Sequence, residues 1–173
     1  MSVKQVKLKK SISTIEIELA VATYFGIRKH IIVPNLSWGF GIHEMDLAII
    51  TKNGLLKEIE IKISKSDLLA DFKKGHNHID RGNRITELYY ALPNSLFNKC
   101  INIIPADAGI IVCERYTNYY GNEVVGAYIK REAKKIKNSR KLTTDEQLKI
   151  ARLGCMRIWS LKQKVISLKK IKQ

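Results

Sequence analysis

Apolar residues recur on a helical period from Ser11 to Phe25. Ile15, Ile17, Leu19, Val21, Ala22, Tyr24 and Phe25 cover a broad arc at about 100° per residue, and Ser13 with Glu16 three positions later has capping-box spacing. Residues 28–34 are β-rich and short, which predicts a strand; residues 35–43, with Asn35, Gly39 and Gly41, predict a loop. Two further strands are expected at 45–51 and 55–63, around Asn53-Gly54, the clearest hairpin signal in the chain. A helix follows from Ser66, its expected N-cap, to about Lys74, with Asp67 and Asp71 near its positive end. Residues 75–84 are polar and break regularity. A strand at 88–92 is stopped by Pro93-Asn94, a short helix fits 95–100, and strands at 108–114 and 123–128 flank a turn at Gly121-Asn122. A basic connector, 130–141, leads to a last helix that Thr143 or Thr144 caps, Thr143 and Glu146 having capping-box spacing, and that runs to about Leu168. Its apolar stripe, Leu148, Ala151, Cys155, Ile158 and Trp159, is expected to pack on the domain.

The second hairpin strand alternates Glu58, Glu60 and Lys62 with Ile59, Ile61 and Ile63, so the charges share one face and the isoleucines the other. For an isolated hairpin the charged face would be plain solvent. Chance alone supplies about one Glu-x-Lys in a chain of this composition, and a second, Glu132-Ala-Lys134, lies in the basic connector. What distinguishes the first is Asp46 on the facing strand. A two-residue Asn53-Gly54 turn would set Asp46 against Ile61, on the wrong side of the sheet. A three-residue loop, Lys52-Asn53-Gly54, sets it opposite Glu60, with Gly54 in the left-handed region. The sequence permits this register without forcing it. Two carboxylates and a lysine on one face are suited to a hard divalent cation, Mg²⁺ or Mn²⁺: Asp46 and Glu60 supply oxygen ligands and Lys62 steadies the phosphate or orients water.

Glu18 points the same way. With Ile15 at the origin of the helical wheel it falls at about 300°, between Phe25 at about 280° and Ala22 at about 340°. A carboxylate within that arc is expected to join the metal site, the alternative being a salt bridge at the core edge.

Charge enlarges the picture. The net charge is +15, and residues 130–173 hold 15 basic side chains against 3 acidic ones. Such asymmetry suggests a polyanion, DNA in the first place with RNA not excluded, or else a solvated basic tail. Lys65, Lys73, Lys74, His76, His78, Arg81 and Arg84 form a candidate phosphate-contacting patch beside the site, or an ordinary polar surface. Trp38 and Phe40 either stack on bases or anchor their loop. Three widely spaced cysteines, Cys100, Cys113 and Cys155, are expected to be reduced and buried, with no disulfide framework or zinc site. No apolar run approaches the roughly 20 residues that span a bilayer, and no signal-peptide pattern follows the basic N-terminus, so a cytoplasmic protein without a membrane partner is expected.

Helix with an inward Glu, strand, Asp-bearing strand, Glu-x-Lys strand, helix, strand resembles the core of the PD-(D/E)XK nucleases. The match runs from about Ser11 to Leu92. Glu60-Ile-Lys62-Ile-Ser64, the segment from Asp67 to Asp71-Phe72, Leu88-Tyr89-Tyr90-Ala91-Leu92-Pro93 and Pro105-Ala106-Asp107-Ala108-Gly109-Ile110-Ile111 further resemble the MmcB-like family, inferred DNA-repair endonucleases, over about residues 11–128. Met45 stands where the family name has Pro. The resemblance implies an α/β fold: a restriction-endonuclease-like αβββαβ core with a central mixed sheet, residues 1–129, followed by a basic connector and C-terminal helix, 130–173, outside the match. It implies Mg²⁺-dependent hydrolysis of DNA phosphodiesters, in DNA repair or in processing of mobile-element or phage DNA, with Asp46 and Glu60 as metal ligands and Lys62 catalytic. A non-catalytic nucleic-acid-binding module that keeps the fold is the alternative.

Overall fold

Ser13 opens the first helix as expected: its hydroxyl accepts from the Glu16 backbone N–H, and the Glu16 carboxylate accepts from the Ser13 N–H at 2.8 Å. In the computed structural model, which describes residues 11–36, 43–73 and 82–171, ten elements follow one another. They are α1 (Thr14–Phe25), β1 (Ile31–Leu36), β2 (Met45–Ile50), β3 (Leu56–Ile61), α2 (Lys65–Lys73), β4 (Ile85–Pro93), α3 (Asn94–Cys100), β5 (Gly109–Thr117), β6 (Glu123–Arg131) and α4 (Thr144–Ile171). The fold is α/β. The six strands form one mixed sheet in chain order; β3, β4 and β5 are parallel, and the β1–β2, β2–β3 and β5–β6 pairs are antiparallel.

The β2–β3 register is that of the three-residue loop. Leu47 pairs with Ile59, Ala48 with Glu58, Ile49 with Lys57 and Ile50 with Leu56. Gly54 takes φ +76°, which a side chain disfavours, and this lets Lys52-Asn53-Gly54 close the hairpin. Leu47, Ile49, Ile59 and Ile61 then share one face with Tyr89, Ala91, Ile111 and Cys113, and α1 covers it through Ile17, Ala20 and Val21. The opposite face is shared. Leu68 of α2 and Cys100 of α3 cover Tyr90, Leu92, Ile110 and Val112, while Ile150 of α4 and Leu142 cover Val33, Ala48, Ile50 and Leu56.

Residues 132–143 are pinned across one edge of the sheet. Backbone N–H groups of Lys134, Ile136, Arg140 and Leu142 donate to carbonyls of Asp107, Thr86, Asn83 and Gly54, at or near the starts of β5, β4 and β3. Thr143 then caps α4 in a box with Glu146. From that edge α4 runs along β1 toward the sheet's other edge. At 1.5 Å per residue its 28 residues reach about 42 Å, whereas the six residues of β1 cover about 20 Å. The inner half therefore packs and the outer half overshoots.

Several expectations change accordingly. The packed face of α4 carries Ile150, Leu153 and Gly154, not the stripe through Leu148, Ile158 and Trp159, which are 63%, 52% and 63% exposed. Cys155 is exposed, while Cys100 and Cys113 are buried thiols. On α1, Ile15 and Leu19 face solvent, because the face that meets the sheet is centred on Ile17 and Val21. α2 is capped by Ser64, whose hydroxyl accepts from the Asp67 N–H at 3.0 Å, and not by Ser66. β6 continues to Arg131, past the expected boundary near residue 130.

Candidate active site

Extending the hairpin register by one pair sets Asp46 opposite Glu60. Asp46, the second residue of β2, lies beside the end of β3, and its Oδ2 accepts from the Ile61 backbone N–H at 2.7 Å. Period two aims Glu58, Glu60 and Lys62 onto the face shared by α2 and α4. Glu58, Glu60 and Lys62 are buried there.

Lys62 is held by two carboxylates. Its Nζ donates to Glu60 Oε2 at 2.9 Å and lies 3.2 Å from Asp71 Oδ1, one turn beyond Asp67 on α2. Burial alone would lower the Lys62 pKa, but Glu60 and Asp71 outweigh it and hold it above its ordinary value. Burial raises the Glu60 pKa to about 7; Lys62 opposes that rise and Asp46 adds to it. Asp46 is also raised, by burial first, against the Ile61 N–H and Lys62. Glu60 thus takes up a proton readily near neutrality unless a cation replaces it. Beside them His43 Nε2 lies 2.6 Å from Oε1 of the fully buried Glu58.

Asp46, Glu60, Lys62, Asp71 and His43 line one cleft of about 1030 Å³. Its walls include Thr14 of α1, Asn35 and Leu36 of β1, His43, Glu44, Asp46, Glu60, Lys62, Asp67 and Asp71, and across from them Arg157 and Lys164 of α4. Five carboxylates face three cations. Their oxygens suit a hard cation such as Mg²⁺, which needs only one or two protein carboxylates beside other oxygen ligands. No set of three or more His, Cys, Asp or Glu side chains is gathered to hold a metal among the described residues.

Glu18 does not line this cleft. It is half-buried on α1, at the margin of the packed arc and not within it, with Oε1 buried and unbonded among the described residues. Burial, then the charge of Asp46, raises its pKa. It is an electrostatic neighbour of Asp46, half-buried outside the lining of the cleft. Arg84 is 8% exposed at the start of β4, too buried to serve as a surface phosphate contact. Lys65 is exposed on the first turn of α2 and does not line the cleft. Lys73 ends α2; Lys74, His76, His78 and Arg81, and likewise Trp38 and Phe40, lie outside the described residues.

The sequence reading passed over His43, Asp71, Arg157 and Lys164 as parts of the site. Asp67 and Asp71, four apart on the helix that follows Glu-x-Lys, carried a usable signal. So did Arg157 and Lys164, seven apart on one helical face, but only the path of α4 along β1 shows where that face arrives.

No family model and no curated protein matches the chain. The solved structure of a protein of unknown function from Silicibacter pomeroyi is similar over 95% of this chain and 96% of that one, with a TM-score of 0.59 and 16% identity. The likeness shows a shared α/β fold. Among the described residues no helix is long and apolar enough to cross a membrane.

Proposed function

We propose that the chain is a metal-dependent nuclease of the PD-(D/E)XK type, hydrolysing DNA phosphodiester bonds at Asp46, Glu60 and Lys62. One observation carries the reading: the 52–54 loop sets Asp46 opposite Glu60 and on the face of Lys62, and the three line one cleft. The order α1, β1, β2, β3, α2, β4 around a mixed sheet agrees with a restriction-endonuclease-like core.

Asp46 and Glu60 would hold Mg²⁺ or Mn²⁺, which supplies Lewis acidity toward a phosphate oxygen. Lys62 is clamped by Glu60 and Asp71 so that its ammonium stays charged despite burial. It stabilises charge that grows on the phosphate as the bond to the attacking oxygen forms, at little cost in reorganisation because it is already fixed. Asp71 positions Lys62, and the Ile61 N–H fixes one oxygen of Asp46, a residue that lines the cleft.

A second reading, binding without cleavage, draws on the same basic helix and on the lack of a three-ligand set among the described residues. Incubation of plasmid and single-stranded DNA with Mg²⁺, Mn²⁺ or EDTA separates the two. Cleavage that needs the divalent ion and disappears in Asp46→Asn supports the nuclease. Intact DNA under every metal condition, with wild-type protein that binds it, rejects hydrolysis in favour of the second reading.

A further inference from the structure

We propose that the outer half of α4 is the second wall of a channel for single-stranded polynucleotide, with Arg157 and Lys164 gripping its phosphates. The proposal rests on the nuclease reading for the chemistry in the cleft, but not for the binding itself.

α4 follows β1 to the edge of the sheet that bears Lys62. Arg157 arrives there and donates to the Asn35 carbonyl at 2.5 Å, and Lys164 lies two turns further out on the same face. Seven residues place these cations about 10 Å apart along the axis, two contact points facing the carboxylates. Lys164 makes no ion pair among the described residues. From Gln147 to the end of the sequence there are eight basic residues and no acidic one, a wall of a single sign. The facing wall is rich in carboxylates, which repel a polyanion unless cations intervene. Arg157, Lys164 and Lys62 supply those cations.

The form of the polyanion follows from the next strip of the helix. Adjacent to the cationic edge, Ile158, Leu161, Val165 and Ile166 line a shallow apolar groove, and Leu161 and Val165 are 60% and 51% exposed. A cationic edge beside an apolar strip suits a strand whose bases are unstacked and whose phosphates lie to one side.

The test is fluorescence anisotropy of a labelled 15-nucleotide single strand and of the corresponding duplex, in the Asp46→Asn background so that no strand is cut. The single strand is expected to bind at least tenfold more tightly. Lys164→Ala should flatten the slope of log affinity against log salt by about 0.7, and Arg157→Ala with Lys164→Ala by about 1.4. Because Arg157 also seats α4 on Asn35, the single Lys164→Ala variant is decisive, and Leu161→Glu should weaken the single strand several-fold without affecting the duplex. Duplex binding as tight as single-strand binding, or a Lys164→Ala slope equal to that of the background protein, overturns the proposal. A wild-type protein that cleaves nothing yet shows this binding pattern would overturn the nuclease reading alone.

Discussion

The tripeptide Glu-x-Lys occurs twice in this chain and means two different things. At Glu60-Ile-Lys62 both charged side chains are buried, bonded to each other, and line one cleft with Asp46 and Asp71. At Glu132-Ala-Lys134 the carboxylate accepts from the Tyr89 hydroxyl at 2.8 Å, and the lysine, 73% exposed, pairs with Asp107 in solvent. The difference lies in the partner strand. β3 has β2 beside it in a register that delivers a second carboxylate, whereas residues 132–134 leave the sheet and pack along its edge. A motif of two residues acquires chemistry from what the fold sets opposite it.

The sharpest way to break that contrast is to remove one carboxylate from each copy. Asp46→Asn or Glu60→Gln should lower metal-dependent cleavage by about 10³-fold, the scale of losing one electrostatic contact to the reacting phosphate, while Glu132→Gln stays within about twofold; initial rates on a fluorescent substrate decide. The lysines come next. Lys62→Met at pH 8 leaves the Glu60 and Asp71 carboxylates buried without their cation and should cost about 3 kcal/mol in urea unfolding. Lys134→Ala breaks a solvent-exposed pair and should cost under about 0.5 kcal/mol.

Titration sharpens the contrast further. The folded pKa of Glu60, about 7, stands above its ordinary 4.5. Its contribution to stability is therefore fully present below pH 4.5 and is lost as pH rises through 7. Without divalent ions, wild type should lose about 2 kcal/mol relative to Glu60→Gln between pH 5 and 8, and Mg²⁺ should stabilise wild type more at pH 8, where no proton must leave. Equal pH profiles for the two proteins would remove Glu60 from the titrating site. The smallest effect is expected at the loop that sets the register. Gly54→Ala places a Cβ at φ +76°, 3.1 Å from Gln147 Nε2, and should cost about 1 kcal/mol while leaving the metal dependence of cleavage in place.

How far these features were legible depended on their range. Ser13 with Glu16 and Thr143 with Glu146 are contacts within a few residues that local chemistry decides, whereas Lys52-Asn53-Gly54 left two registers open and the fold takes the three-residue loop. Given that loop, the pairing of Asp46 with Glu60 reduces to counting across one turn. The helical faces were not decided locally. α1 is apolar on several sides, so a wheel centred on Ile15 missed the arc through Ile17 and Val21 and overstated the burial of Glu18. In α4 two apolar stripes compete, and only contact with Val33 and Leu56 selects the one holding Ile150. Arg84 read as surface because its neighbours are polar, yet it enters the sheet at β4. Arg157 and Lys164 were counted as charge without an address, since their address is β1, more than a hundred residues earlier.

That separation orders events as the chain folds. The Asp46 contact with Ile61 closes 15 residues, and the Arg157 contact with Asn35 closes 122, about three doublings more, or about 2 kcal/mol of extra closure entropy. The acidic half of the cleft can assemble on a hairpin timescale as soon as β3 exists, while the basic wall must wait for the last helix to be made and brought back. During synthesis the chain therefore carries the carboxylates of the cleft for a time before Arg157 and Lys164 reach it.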